Sequence, residues 1–366
     1  MAETHTFMNH AGVGPASRRV VSAVSSFMES LAHLGQVDFD EWEEIVDDCR
    51  ERFARLVGAE PGEIALVRNT SHGLGLVAAG LDWRAGDRVA VASGVEYPSN
   101  VYPWLDLARR GIVALDEIEA EDGAVTVDAV ARTIRAETRL VAVSAAQYGS
   151  GAITDLEALG SLCAQYGALL CVDGIQVVGA LPLDVRRAGI HFLSADSHKW
   201  MLGISGTGAF YVSREVMDQL RPPILGWRST SQAFDFDRVL LELAPTAQRY
   251  EEGSLPVPLI AGFSAALELL EELGVDRAEK IITERTTALA RGLENLGCIV
   301  GPRPDVRKHI VTCRHDRVTP QALLDELGRR DVVASVRRGA LRLSPHFYNS
   351  AEDVDVVLEA VGAVVS

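Results

Sequence analysis

The sequence predicts an α/β protein: a mostly parallel, seven-stranded sheet with helices on both faces, followed by a smaller α+β C-terminal unit. Three observations carry that expectation. Between residues 64 and 212, short apolar runs alternate with amphipathic stretches. The pattern changes at Pro256-Val-Pro258. Polar residues, Asp173 and Lys199 foremost, stand at the ends of runs that otherwise read as fully buried. Parallel strands need a crossover, usually a helix, between them, so strand–helix alternation at this spacing implies a doubly wound sheet.

Taken in order, residues 18–34 and 39–57 set apolar side chains three and four apart, as an amphipathic helix does. Strand-like runs follow at 64–67, 88–92, 112–115, 140–144, 169–172, 192–194 and 208–212. Each is short, apolar and bounded by turn residues, as buried strands are. Helical stretches at 100–110, 128–136 and 155–166 separate several of them. Little but a lysine-bearing loop lies between 194 and 208, which leaves room for an antiparallel last strand. Beyond the prolines come helices at 259–273 and 275–296, strands near 299, 310–313, 332–336 and 341–344, and a final helix from 352. The expected division is a large unit over residues 15–255 and a small one over 256–366, with residues 1–14 packing at the active site.

With 366 residues, 48% hydrophobic and 23% charged, the chain has ample material for a buried core. A net charge of −16 disfavours a nucleic-acid or anionic-membrane surface. It does not exclude a small anionic ligand held at a helix N-terminus. The start shows no signal-peptide pattern, and no apolar run approaches the roughly 18 residues of a membrane span, so a cytoplasmic location is expected. The five cysteines, Cys49, Cys163, Cys171, Cys298 and Cys313, are scattered, forming neither a disulfide framework nor a C-x-x-C pair. No metal is expected.

The segment Phe192-Leu-Ser-Ala-Asp-Ser-His198-Lys199-Trp200 is the most informative. It lies between Cys171-Val-Asp173-Gly-Ile-Gln176 and Gly206-Thr-Gly-Ala-Phe-Tyr-Val212. A lysine among buried strands is costly unless it is neutralised, paired or covalently used. Asp173 ends its strand at the carboxyl edge, where α/β sheets hold ligands. An aspartate able to face a pyridine nitrogen, followed by a lysine able to form a Schiff base, is what pyridoxal 5′-phosphate requires.

Other motifs stand in a definite order: Val67-Arg-Asn-Thr70-Ser71-His72-Gly73, Glu96-Tyr97-Pro98, Arg249-Tyr-Glu-Glu-Gly253-Ser254 and Ala340-Leu-Arg342-Leu-Ser. From Asn9 to the last helix, the set resembles the class V aminotransferase family of fold type I enzymes. That family includes cysteine desulfurases, selenocysteine lyases and isopenicillin N epimerases. The resemblance implies pyridoxal 5′-phosphate as cofactor, with Lys199 as the catalytic Schiff-base lysine. It implies that Thr70, Ser71 and His198 bind the phosphate, that Tyr97 stacks on the ring, and that Asp173 pairs with the pyridine nitrogen. Gln176 would hydrogen-bond the ring's 3-oxygen. A further contact there is open between Gln147 and Tyr148. Ser254 would reach the cofactor of a second subunit, implying a homodimer with shared sites. Arg342 would grip the substrate carboxylate, with Arg228, Arg249, Arg337 and Arg338 as rivals. Asp196 departs from the family serine and is expected to point away from the phosphate. The role of Trp227 stays open.

Desulfurases carry a nucleophilic cysteine on a loop shortly before the carboxylate-binding arginine. Here Val332-Val-Ala-Ser-Val-Arg337-Arg338-Gly-Ala-Leu-Arg342 is short and holds none. Persulfide chemistry needs an accessible thiolate, so desulfuration is disfavoured. The function implied is catalysis on an amino acid or amino-acid conjugate through an external aldimine and quinonoid. Transamination ranks first, with a β-eliminating C–S lyase or an epimerase as alternatives. A non-catalytic fold member ranks last.

Overall fold

The computed structural model describes residues 4–35 and 39–365. The first three residues of the expected N-terminal segment lie outside these. The chain opens with β1 (Thr6–Phe7), α1 (Arg18–Leu34) and α2 (Phe39–Val57). The alternating region holds β2 (Ile64–Val67), α3 (Thr70–Gly80), β3 (Arg88–Val91), α4 (Tyr102–Arg109), β4 (Ala114–Glu117), α5 (Val127–Thr133) and β5 (Thr138–Ser144). It continues with α6 (Leu156–Tyr166), β6 (Leu169–Asp173), β7 (Phe192–Asp196) and β8 (Gly208–Val212).

These strands form one seven-stranded sheet in the order β2-β8-β7-β6-β5-β3-β4. Pairings from β4 through β7 are parallel, whereas β8 runs antiparallel to both β7 and β2. The connection from β7 to β8 contains no crossover helix, which forces this reversal. The strand expected at 112–115 falls two residues later. Gly111, with φ of 71°, ends α4, and the Ile112 N–H closes the helix onto Leu107 O at 3.0 Å. Ile112 thus completes a helix cap. Polar residues can join β4 because Asp116, though buried, pairs with Arg88 at 2.6 Å, while Glu117 is exposed at the sheet's edge.

Two apolar layers cover the sheet. In one, α7 (Val257–Leu273) lies across α1 and α2, so that Phe263, Ile260 and Leu267 share a core with Phe53 and Val57. In the other, α3 and α4 bring Leu74, Val77 and Trp104 against Val89, Phe192 and Phe210. Phe53 and Phe263 are fully buried. Truncating either to alanine would cost about 3–5 kcal/mol through lost transfer energy and a residual cavity.

The C-terminal part adds α8 (Val275–Asn295), β9 (Ile299–Gly301), β10 (Val311–Arg314), α9 (Pro320–Arg329), β11 (Val332–Val333), β12 (Ser335–Arg337), β13 (Ala340–Leu343) and α10 (Ala351–Val365). The single strand expected at 332–336 is two: β11 pairs with β1, and β12 joins an antiparallel sheet β12-β13-β10-β9. One face of that sheet presents Val311, Cys313, Leu341 and Leu343 to a core shared with α8, α9 and α10. By the alternation of strands, the other face carries Ser335 and Arg337, Ala340 and Arg342, and Thr312 and Arg314. No described helix is long and apolar enough to cross a membrane.

Candidate active site

The site is built at the carboxyl edge of β6 and β7. Asp173, the last residue of β6, is buried and accepts the Ile175 N–H at 3.1 Å. Its neighbour in register on β7 is Ser194. Two residues beyond Ser194, β7 ends at Asp196, and the chain closes into a tight loop bearing Lys199. Ser197 Oγ donates to Ile204 O at 2.6 Å and Gly203 N–H to Ser197 O at 2.8 Å. A Cβ on Gly203 would lie 2.6 Å from Ser197 Cβ, so only glycine closes this loop. Fully buried Trp200 anchors the next residue, its Nε1–H donating to Gln176 Oε1 at 3.0 Å.

Burial pulls the Lys199 ammonium down to about 8, against the attraction of Asp173 and Asp196. Burial pushes the Asp173 carboxyl up to about 7, against the Ile175 N–H and the lysine. Both shifts follow from the cost of holding charge away from water. The Tyr97 ring stands 5.7 Å from Lys199 Nζ and packs edge-on against Tyr148. Glu96, which the sequence reading passed over, fixes that tyrosine's loop. Its buried carboxylate accepts from Ser144 N–H, Gln147 Nε2 and Asn100 Nδ2 at 2.8, 2.8 and 2.9 Å.

At the start of α3, Asn69 caps the helix by accepting the His72 N–H at 2.8 Å. Thr70 Oγ1 accepts the Asp196 N–H at 3.0 Å, and Ser194 Oγ donates to Thr70 O at 3.1 Å, tying this helix end to the lysine loop. Gly73 permits the approach, since a Cβ there would lie 2.3 Å from Ser194 Oγ. Ser71 is exposed and shares a 2.7 Å hydrogen bond with Ser99 Oγ. Around this helix end, His72 Nε2, His198 Nδ1, Asp196 Oδ1 and Thr207 Oγ1 are buried without hydrogen-bond partners. Burial lowers His72 and takes His198 down to about 4. Free helix N–H groups, a hydroxyl and orphaned imidazoles suit an anion such as phosphate. Asp196, expected to point away from the phosphate, sets its Oδ2 3.7 Å from His198 Nδ1. Burial raises its carboxyl to about 6, which favours the neutral form beside an anion.

Arg342 on β13 is fully buried. Its Nη1 donates to Tyr148 O at 2.6 Å, its Nη2 to Asn9 Oδ1 at 3.3 Å, and its Nε has no partner. Among the described residues no carboxylate pairs with it, and burial together with Arg337 lowers it to about 10. Two rivals are committed elsewhere. Arg228 makes a bidentate pair with Glu43 at 2.7 and 2.8 Å, and Arg249 meets Asp218 at 3.1 Å. A buried guanidinium lacking an acid has the chemistry to take a carboxylate. The N-terminal segment links the parts: Gly14 N–H donates to His198 O at 2.8 Å while Asn9 touches Arg342.

Other expected residues lie as follows. Gln176 is buried and donates from Nε2 to Ala11 O at 3.1 Å, which leaves one N–H of that amide for a ligand. Tyr148 sits beside Tyr97, whereas Gln147 is turned toward Glu96 with its Oε1 buried and unpaired. Ser254 is exposed. Trp227 packs against Phe234 and Phe236, next to Arg228.

The family model described as "Aminotransferase class-V" matches residues 6–357. The chain belongs to that family. Among its curated relatives, an uncharacterized aminotransferase of Bacillus subtilis, YcbU, is 28% identical over 99% of this chain and 95% of its own length. A probable cysteine desulfurase of Pyrococcus abyssi is 30% identical over 87% of this chain and 83% of its own. Among solved structures, the cysteine desulfurase of Thermococcus onnurineus superposes with a TM-score of 0.89 at 25% identity, covering 99% of this chain and 95% of that one. The cystine C–S lyase C-DES, solved with its product cysteine persulfide, gives 0.91 at 22% identity over 98% and 97%. The fold is that of the fold type I enzymes, as the motifs implied.

The desulfurase loop is replaced by a tight hairpin. Arg338 and Gly339, with φ of 49° and 72°, join β12 directly to β13. Two consecutive left-handed residues make the two-residue turn that antiparallel strands favour. All five cysteines are buried, and burial raises Cys49, Cys163 and Cys171. Cys298 and Cys313, distant in sequence, hydrogen-bond one another. Glu96 and Asn9 are the site residues to which the sequence reading gave no role, and Asp196 is the one whose orientation it expected differently. Only Asp196 had a local signal, since its strand position places it two residues from Ser194 on the same face.

Proposed function

We propose that this chain is an aminotransferase in which Lys199, Asp173, Tyr97 and Arg342 serve pyridoxal phosphate and an amino-acid substrate. Membership in the family makes it a pyridoxal phosphate-dependent enzyme acting on an amino acid. The cofactor, when bound, supplies an electron sink for the electrons released at the substrate α-carbon. The observation that carries the reading is a half-buried Lys199, lowered by burial, within reach of Asp173 and beside acid-free Arg342.

Each residue then has a task set by its surroundings. Lys199, whose ammonium burial brings down to about 8, releases its proton far more readily than an exposed lysine and so accepts and returns a proton at Nζ. Asp173, held in place by the Ile175 N–H, offers a carboxylate to a cationic nitrogen, and that charge would bring its own pKa back down. Thr70 and Ser71 at the start of α3, with His198 from the lysine loop, hold the phosphate, and Gln176 donates to the 3-oxygen. Tyr97, braced by Glu96, covers the ring face and excludes water from Nζ. Arg342 fixes the carboxylate and so the direction of the α-hydrogen.

A homodimer fits the exterior. Leu225, Phe234, Phe236, Val239 and Leu241 form an exposed apolar run adjoining Trp227, and Trp227 in turn packs near Gly253 beside Ser254. Such a run is costly in water and suited to a second copy, to which Ser254 would contribute its hydroxyl. A cytoplasmic location completes the proposal. The test is a panel of amino acids and thioether conjugates, with α-keto acid, ammonia and thiol release read in parallel. Keto-acid formation that requires an amino acceptor, without ammonia, is expected. Ammonia or thiol release without an acceptor would replace transamination by elimination.

A further inference from the structure

Beyond Arg342, the polar face of the small sheet continues into a cleft of about 880 Å³, far larger than a small amino acid fills. Its lining carries Arg303, Arg314, Arg337 and Arg338 against one carboxylate, Asp122, among the described residues. In a chain of net charge −16 this is an unusual concentration of cations. Elsewhere Arg19, Arg50, Arg52, Arg88, Arg186 and Arg228 all meet carboxylates. The cleft arginines do not, apart from the exposed contact of Arg303 with Asp305 at 3.4 Å. Arg337 donates to Val336 O, Arg338 to Gly94 O and Arg314 to Arg338 O, all backbone acceptors that leave the charge uncompensated.

The register relates this cluster to the substrate-carboxylate site. Arg337 lies opposite Ala340, and Ser335 opposite Arg342, so Arg337 and Arg342 share a face. Thr312 lies opposite Arg342 from the other side, and Arg314 continues its face two residues on. The small side chain of Ala340 therefore forms a floor between Arg337 and Arg314, two residues along β13 from Arg342. Two residues of strand span roughly 7 Å. Tyr148, whose carbonyl holds Arg342, is flanked by Gln147 and Gly149 of the cleft wall. The cleft thus begins where the α-carboxylate would end.

We propose that this cleft binds the far end of the substrate, and that the substrate is an amino acid whose side chain ends in a carboxylate or similar anion roughly 7 Å from the α-carboxylate. The inference rests on Arg342 being the α-carboxylate site and deepens that reading to a substrate class. Arg337 and Arg314 grip the distal anion across Ala340, while Arg338, held to Gly94 O, adds charge at the rim. Neutral and cationic side chains are discriminated against because they leave these guanidiniums without a partner.

Two amine-free probes test this without turnover: 3-(carboxymethylthio)propanoate and its distal carboxamide, which differ in one charge at nearly equal shape. Calorimetric titration of the purified protein should show the diacid binding about 10- to 100-fold tighter than the amide, the range of a charge-assisted contact. In an Arg314→Gln/Arg337→Gln variant the ratio should fall to about 3 or less. Equal wild-type affinities, or a ratio that persists in the folded double variant, overturn the proposal. Arg342→Ala separates the two assignments, because it should weaken both probes while their ratio stays high. If Arg342→Ala leaves both affinities unchanged while the ratio is high, the α-carboxylate reading fails and the anion subsite stands.

Discussion

Replacing Arg342 by glutamine should lower kcat/KM on the amino-acid substrate by about two orders of magnitude, and the structure sets that figure. The guanidinium has five N–H donors, and the protein uses two of them, on Tyr148 O and Asn9 Oδ1. Its Nε–H is buried and unpaired, and no acid among the described residues neutralises the charge. The substrate carboxylate therefore meets a cation whose desolvation cost was met during folding. At about 4 Å and an effective dielectric near 20 the raw attraction is roughly 4 kcal/mol. Charge-assisted hydrogen bonds deliver about 1.5–3 kcal/mol net once desolvation is counted. A bidentate pair worth about 3 kcal/mol corresponds to about 100-fold. Arg342→Lys keeps the charge without the fork and should lose about tenfold. The assay is steady-state kinetics on the amino acid and on the amine lacking its carboxylate, with cofactor content followed by visible absorption. The amine should respond by less than about threefold to either substitution, because it never makes the contact. An equal loss on both substrates would show a structural role through Tyr148 and Asn9, and unchanged kinetics would move the role to Arg337.

Lys199→Ala should abolish both the visible band and borohydride labelling, and trapping at another lysine would overturn the assignment. Cofactor capture needs the neutral amine, so its rate should rise with pH through about 8 and fall below it. Asp173 and Asp196 favour the ammonium, so Asp196→Asn should move the midpoint lower, and an upward shift in the pH profile of band appearance would contradict the electrostatics. Single cysteine-to-alanine variants that fold should keep kcat/KM within about threefold, since all five thiols are buried. A loss of several orders of magnitude in Cys313→Ala, or a protein-bound persulfide, would restore the desulfurase reading. Phe236→Asp, at a side chain 72% exposed, should shift the sedimentation mass from dimer to monomer and weaken cofactor retention. A wild-type monomer with full cofactor affinity would refute the shared site.

Much of this molecule was legible in its sequence because its information is local. Each buried strand is a contiguous apolar run, so residues 64–67 and 208–212 coincide with β2 and β8. The tight spacing after Lys199 foretold the reversal of β8. Asp173 and Lys199 stood out because a charge at the end of an apolar run is conspicuous without coordinates. Boundaries failed where a cap or a turn competes with pairing, as at Ile112 and in the division of residues 332–336.

What the sequence by itself determined, then, is the sheet, the family motifs and the lysine–aspartate pair, all carried by residues close together along the chain. Tertiary structure alone decided which of the arginines meet an acid. Glu43 and Asp218 reach Arg228 and Arg249 across long sequence separations, while no acid among the described residues reaches Arg342. It also decided that Asp196 faces His198, that Glu96 braces Tyr97 through Ser144 and Gln147, and that Arg314 and Arg337 share one face. The reason is physical: charge, burial and partnership are properties of space, and residues far apart in sequence acquire them only when strands and helices pack.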